Sequence, residues 1–203
     1  MATPVDAKQR AMSTYNAAAD FYDHPVNTFW EWYGQQTVSR LRLEPGAKIL
    51  DVCCGSGASA IPAAKAVGPN GFVLGIDLAE NLIELAKTKA SKRGLENIEF
   101  RVADMLDLDF APSTFDVVIC VFGIFFVPDM QQAIQTLWKL LRPGGRLRYH
   151  HLGTAVLRAC KHSILERRAE RAGRSLQRVQ SLGSDFGARV IARSAVVDWR
   201  GDA

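Results

Sequence analysis

The stretch DVCCGSGASA, Asp51 to Ala60, follows the apolar pair Ile49-Leu50 and holds Gly55 and Gly57 one residue apart. A G-x-G turn at a strand end lets the chain reverse tightly. It also lets backbone N–H groups and the next helix N-terminus approach a ligand with no Cβ in the way. Ala60, the third small residue, allows that helix to pack close to the strand. Taken alone, such glycines read equally well as an ordinary loop. Asp77 adds a second element: it stands 20 residues after Gly57, in LGIDLAE, at the end of the next apolar run. There a carboxylate can accept two hydrogen bonds from the vicinal hydroxyls of a ribose, and it can at the same time cap a helix beginning near Leu78 or Ala79. Asp51 comes four residues before Gly55. A carboxylate there opposes a pyrophosphate and suits a ligand bearing an ammonium or sulfonium, which argues against nicotinamide and flavin dinucleotides. Asp104, in VADM, can accept an adenine amino group while Met105 packs on the ring; the plain alternative is a capped turn.

These residues need a frame that brings them together. From Thr3 to about Arg42 the pattern is helical and dense in aromatics, broken at Asp23-His24-Pro25. The period then changes. AKILDV, FVLGID, IEFRVAD, FDVVICVFG and GRLRYH are short and rich in Val and Ile, and read as strands. Residues 57–67, 79–93 and 129–141 read as helices, the last with an N-cap candidate at Asp129 and a stop signal at Arg142-Pro143-Gly144-Gly145. Strands alternating with helices imply βαβ units, a mostly parallel sheet buried on both faces, and ligands beyond the carboxyl ends of its strands. The expected fold class is α/β, doubly wound and Rossmann-like. Its expected organisation is a helical segment over residues 1–45, a nucleoside-binding core over 46–149 and a basic tail over 150–203.

The motifs ILDVCCGSG, VLGIDLAENLIELAK, VADMLDLDFAPSTFDVVICVFGIFFVPD and LRPGGRL, in this order and spacing, resemble those of class I S-adenosylmethionine-dependent methyltransferases. Most similar among these are the ubiquinone/menaquinone-biosynthesis-like enzymes and related small-molecule methyltransferases. The resemblance covers about residues 8–147. It implies S-adenosylmethionine as cofactor and a small-molecule methyl acceptor as partner. By the same resemblance Asp51, Gly55 and Gly57 line the methionine side and Asp77 holds the ribose, with Cys53 and Leu78 among the cofactor-binding positions. Ala103, Asp104 and Met105 frame the adenine, and Cys120, Val121 and Phe122 close the pocket floor. Tyr22 resembles part of a lid segment and reads equally as a core aromatic. Methyl transfer from a sulfonium is an in-line displacement, for which a protein supplies proximity, orientation and a dry pocket. A general base is needed only for a poorly activated acceptor; His24, His150, His151 and His162 are the visible histidines, and none is singled out.

Length and composition limit the alternatives. The chain has 203 residues, 48% of them apolar, enough for one well-filled core. No apolar run approaches the ~20 residues of a membrane span. The four cysteines, Cys53, Cys54, Cys120 and Cys160, fit neither a disulfide framework nor a metal clip, and His150, His151, Cys160 and His162 match no standard zinc spacing. Reduced thiols, a cytoplasmic location and no bound metal are the expectation. Net charge is +4, unevenly spread: residues 1–147 carry 14 basic and 16 acidic residues, and residues 148–203 carry 11 and 5. With only Tyr149, Phe186 and Trp199 as stacking residues, the tail reads as a solvated basic surface rather than a nucleic-acid site.

After Leu147 the motif resemblance stops, where the family continues with two further strands. Codons for His150–Arg167 can be chosen so that the frame one base later reads TTWGPRFFEPANTAFWN, similar to the family's segment after the fifth strand. The expectation is a truncated or frame-shifted ending: the last two strands missing or replaced by a helical or partly disordered tail. The fifth strand then becomes an exposed edge, and this edge or the basic tail is available for homodimerisation. A catalytically silent binding or interaction protein on the same fold is the alternative function, and a nicotinamide oxidoreductase a third.

Overall fold

The computed structural model describes residues 4–24, 28–151 and 193–198. Two helices come first, α1 (Pro4–Tyr22) and α2 (Phe29–Leu41). Strands and helices then alternate: β1 (Lys48–Val52), α3 (Ala60–Val67), β2 (Phe72–Asp77), α4 (Glu80–Ser91), β3 (Ile98–Val102) and β4 (Phe115–Val121). A 3₁₀ turn at Ile124–Phe126, α5 (Met130–Lys139), β5 (Leu141–His151) and β6 (Arg193–Asp198) complete the described elements. Every strand read from the sequence is present, with ends within a few residues.

The sheet order is β3-β2-β1-β4-β5-β6, and β1 through β5 pair in parallel. Residues alternate between faces, as the pleat demands. Ile49, Val73, Val117 and Ile119 pack with Ala63, Ala64, Val67 and Ile83 of α3 and α4. Leu50, Leu74, Val118 and Leu147 pack on the other face with Leu137 of α5 and Ile124. A sheet covered on both faces needs near-continuous apolar strands, which is why KILDV and FDVVICV carry so few polar residues.

Two expectations change. Arg142–Gly145 does not end α5, which stops at Lys139; these residues lie within β5, where pairing with β4 jumps from Phe115–Leu141 to Val117–Arg146. The β5 strand is also not the edge of the sheet, because β6 lies beside it. At least one strand therefore follows the fifth, and homodimerisation through an exposed fifth strand loses its premise. The helical character expected of the tail falls on residues outside those described.

Candidate active site at the carboxyl ends of the strands

The chain leaves β1, builds outward through β2 and β3, then returns to β4 on the other side of β1. This reversal opens a crevice at the carboxyl ends of β1 and β4, the place where open α/β sheets bind ligands. Asp51, Cys53, Gly55, Gly57, Asp77, Leu78, Ala103, Asp104, Met105, Cys120, Val121 and Phe122 all sit at the carboxyl ends of β1 to β4 or in the turns just beyond them. Tyr22 joins them from the end of α1.

The turn after β1 uses three positive φ angles, +56° at Cys53, +54° at Gly55 and +84° at Gly57. Cys54 N–H donates to Ile76 C=O at 3.0 Å, and Gly57 N–H to Cys54 C=O at 2.9 Å. Asp77 locks this turn to the exit of β2. Its carboxylate accepts Gly55 N–H and Ala79 N–H, each at 2.9 Å, so it caps the approach to α4 as well. Burial pushes its pKa up against these bonds. A carboxylate offers about four lone-pair sites, so at least one remains after the backbone bonds from Gly55, Ala79 and Leu78. The bare sides of the glycines serve different ends. A Cβ on Gly57 meets Ile61 Cδ1 at 3.0 Å and Phe100 Cζ at 3.3 Å, whereas one on Gly55 meets the Tyr22 hydroxyl at 3.6 Å. Gly57 is bare for packing, and Gly55 faces Tyr22 at the end of α1.

Asp51 is fully buried. Ser59 Oγ donates to its Oδ2 at 2.6 Å, while Oδ1 has no partner among the described residues. Burial first, and the nearby Asp77 charge next, raise its pKa from 3.8 to about 7, against the lowering effect of the Ser59 bond. A buried carboxyl with one oxygen unmatched is costly, and a cationic ligand removes that cost.

Asp104 takes the plain role weighed for it. Its Oδ1 accepts Leu106 N–H at 2.9 Å, a capped turn, and its Oδ2 pairs with Lys8 of α1. Met105 is buried, and its Sδ lies 3.7 Å from Cys53 Sγ. A hydrogen bond to Cys120 and then burial hold the Cys53 thiol well above its ordinary pKa, and burial does the same to Cys54. Both thiols pack as neutral groups.

Sequence reasoning missed the polar links that hold α1 and α2 over the crevice. Asp23 accepts from Ser56 Oγ at 2.8 Å and pairs with Lys89 at 2.8 Å. Asn16 Oδ1 accepts Asn81 N–H at 2.9 Å. Tyr22 packs between Trp30, stacked at 6.0 Å, and Tyr15 at 6.2 Å. Gly34 lets α2 touch the turn before α3, since a Cβ there falls 2.3 Å from Ala58 O. A small cavity of about 50 Å³ lies among Tyr22, Trp30, Ser56 and Lys89. A larger cavity of about 420 Å³ lies at the amino ends of β1 and β4, among Glu44, Asp116, Arg142 and Arg146, away from the glycine turn.

Comparison with known proteins gives this arrangement a family. The methyltransferase-domain family matches residues 43–183. The chain belongs to it. The match runs past Leu147, where the motif resemblance stops. A demethylmenaquinone methyltransferase from Bacillus cytotoxicus is 34% identical over 144 residues, covering 69% of this chain and 61% of that protein. Its counterpart from Listeria monocytogenes is 34% identical over 113 residues, 56% of this chain and 48% of that one. The chain thus spans about half to three-fifths of the length of these curated relatives. Among solved structures, a SAM-dependent methyltransferase from Aquifex aeolicus aligns with a TM-score of 0.59 at 22% identity, covering 68% of this chain and 72% of that one. That likeness shows the shared fold. Among the described residues no helix is long and apolar enough to cross a membrane, and no group of three His, Cys, Asp or Glu residues is placed to hold a metal.

Proposed function

We propose that this chain binds S-adenosylmethionine and transfers its methyl group to a small-molecule acceptor. The single observation that carries the reading is the pair of carboxylates at the strand tips: Asp51, buried with an unmatched oxygen, and Asp77, tied to the glycine turn with accepting capacity to spare. Asp51 fits the cationic methionine end and Asp77 the ribose diol. Ala103 and Met105 supply an apolar edge for the base, and Asp104 fits the adenine amino group once Lys8 moves with α1. The bound cofactor supplies an electrophilic methyl on a sulfonium. The chain's own residues then bind, orient and exclude water: Tyr22, Trp30 and Phe122 close an aromatic cover over the turn. Such positioning reaches effective molarities of about 10⁵–10⁸ M in favourable cases, without a nucleophile from the protein.

The acceptor we infer is an aromatic alcohol of the quinol type. The names of the curated relatives and the aromatic lining both support it. Free thiols at Cys53, Cys54 and Cys120 support a reducing compartment, the cytoplasm. Incubating the protein with methyl-labelled S-adenosylmethionine and a reduced naphthoquinone tests the reading. Label passing to the quinol supports it; no transfer from a sample that binds S-adenosylhomocysteine identifies a silent binding protein instead.

A further inference from the structure

Beside the crevice, at the carboxyl end of β5, lies a buried histidine that no step above uses. His150 is 3% exposed and pairs in register with Val121 of β4. Its Nε2 lies 3.4 Å from Thr37 Oγ1 of α2. The Thr37 hydroxyl proton is already committed, because Oγ1 donates to Tyr33 C=O at 2.7 Å. For that contact to be favourable, Nε2 must carry the hydrogen and donate it to Thr37. A neutral imidazole then has its lone pair on Nδ1, and Nδ1 is buried with no partner among the described residues. Burial, with the charges of Arg148 and Arg40, lowers the His150 pKa to about 4, so the ring is neutral near pH 7.

Aromatic rings flank this imidazole. The Phe122 ring meets His150 edge-on at 5.5 Å and the Tyr33 ring does so at 6.3 Å. Tyr33 and Phe122 are 5.0 Å apart, and Phe29 stacks on Phe122 at 5.5 Å. Phe122 holds a φ of +59°, a conformation a bulky residue adopts only under constraint, at the end of β4 beside the cofactor-side residues. An acceptor-only nitrogen on a ring flanked by aromatic side chains suits a flat aromatic ring that brings a hydroxyl proton.

We propose that His150 Nδ1 accepts a hydrogen bond from the hydroxyl of a planar aromatic methyl acceptor seated among Phe29, Tyr33 and Phe122. The proposal rests on the methyltransferase reading and deepens it, naming the residue that selects an aromatic alcohol. Thr37 is the positioning residue, fixing the tautomer through Nε2. The ring enters when the amino-terminal half of α2 moves aside, since Phe29 and Tyr33 now close the wall.

Calorimetric titration of the full chain with 1-naphthol and with 1-methoxynaphthalene, each with and without S-adenosylhomocysteine, tests this. The two probes share a ring system, and only the first can donate a hydrogen bond. Wild type should prefer 1-naphthol by about 10-fold. His150→Phe should lose the preference while still binding the ring. His150→Asn, whose Oδ1 falls near the Nδ1 position, should keep most of it, and His150→Gln should lose it. Circular dichroism establishes that each variant is folded. No preference in wild type, no naphthol binding under either condition, or a preference that survives in His150→Phe overturns the proposal. Absence of S-adenosylhomocysteine binding with the naphthol preference intact sinks the cofactor reading and leaves the acceptor site standing.

Discussion

Asp51 is the residue on which the electrostatics of the site turn. Its folded-state pKa of about 7 lies above the ordinary 3.8, so the folded chain holds this proton more tightly than the unfolded chain does. The stabilising contribution is complete below pH ~4, falls as pH rises between ~4 and ~7, and is gone above. Urea unfolding across this range should show wild type losing stability relative to Asp51→Asn, with the difference flattening above about pH 7. A cationic ligand reverses the preference by favouring the charged carboxylate. S-adenosylhomocysteine affinity should therefore rise from pH 5.5 to 7.5 in wild type and stay flat in Asp51→Asn, as read by titration at each pH. Ser59→Ala removes the hydroxyl that donates to Oδ2. It should destabilise the fold by about 1–3 kcal/mol near neutral pH, measured by the same unfolding.

At the scale of elements, α1 and α2 owe their position to one bare backbone and a few polar links. Gly34→Ala forces a methyl to within 2.3 Å of Ala58 O, and backbone cannot yield as a side-chain tip can. The expected cost is about 1–3 kcal/mol, with a change in tryptophan emission as Trp30 leaves Tyr22; unchanged emission and urea midpoint contradict it. Asp23→Ala removes the link from the end of α1 to Ser56 and Lys89. It should speed both association and dissociation of S-adenosylhomocysteine in stopped-flow experiments. The strands, α4 and the Asp129 cap of α5 were legible because each rests on local chemistry: β-branched runs, a short apolar period, and an Asp that accepts Gln132 N–H at 2.9 Å. The links of α1 were not, because Asp23–Lys89 and Asn16–Asn81 join residues distant in sequence with no motif to mark them. The sequence suggested bare glycines for a ligand, yet Gly57 is bare for Ile61 and Phe100, a distinction that only packing reveals. The Pro-Gly-Gly run looked like a helix stop and instead falls where the β4–β5 register shifts, because α5 had already ended at Lys139.

For the whole molecule, the order of strands does what no single residue can. Parallel strands reversing direction of build at β1 and β4 bring Asp51, Asp77, Asp104 and Phe122 to one crevice although they span 72 positions of sequence. The parallel direction of the strands is legible in the strand–helix alternation, whereas their order and the presence of β6 are not. Two carboxylates at the tips of adjacent strands with one glycine turn between them define the central claim, that this crevice holds a nucleoside bearing a positive charge and no pyrophosphate. Titrating wild type and Asp77→Ala with S-adenosylhomocysteine in a calorimeter, with NADH as the competing ligand, tests it most directly. The account predicts one-site binding of S-adenosylhomocysteine to wild type, at least about 10-fold weaker binding to the variant, and no heat with NADH. Equal affinities for the two proteins, or binding of NADH in place of S-adenosylhomocysteine, would contradict it.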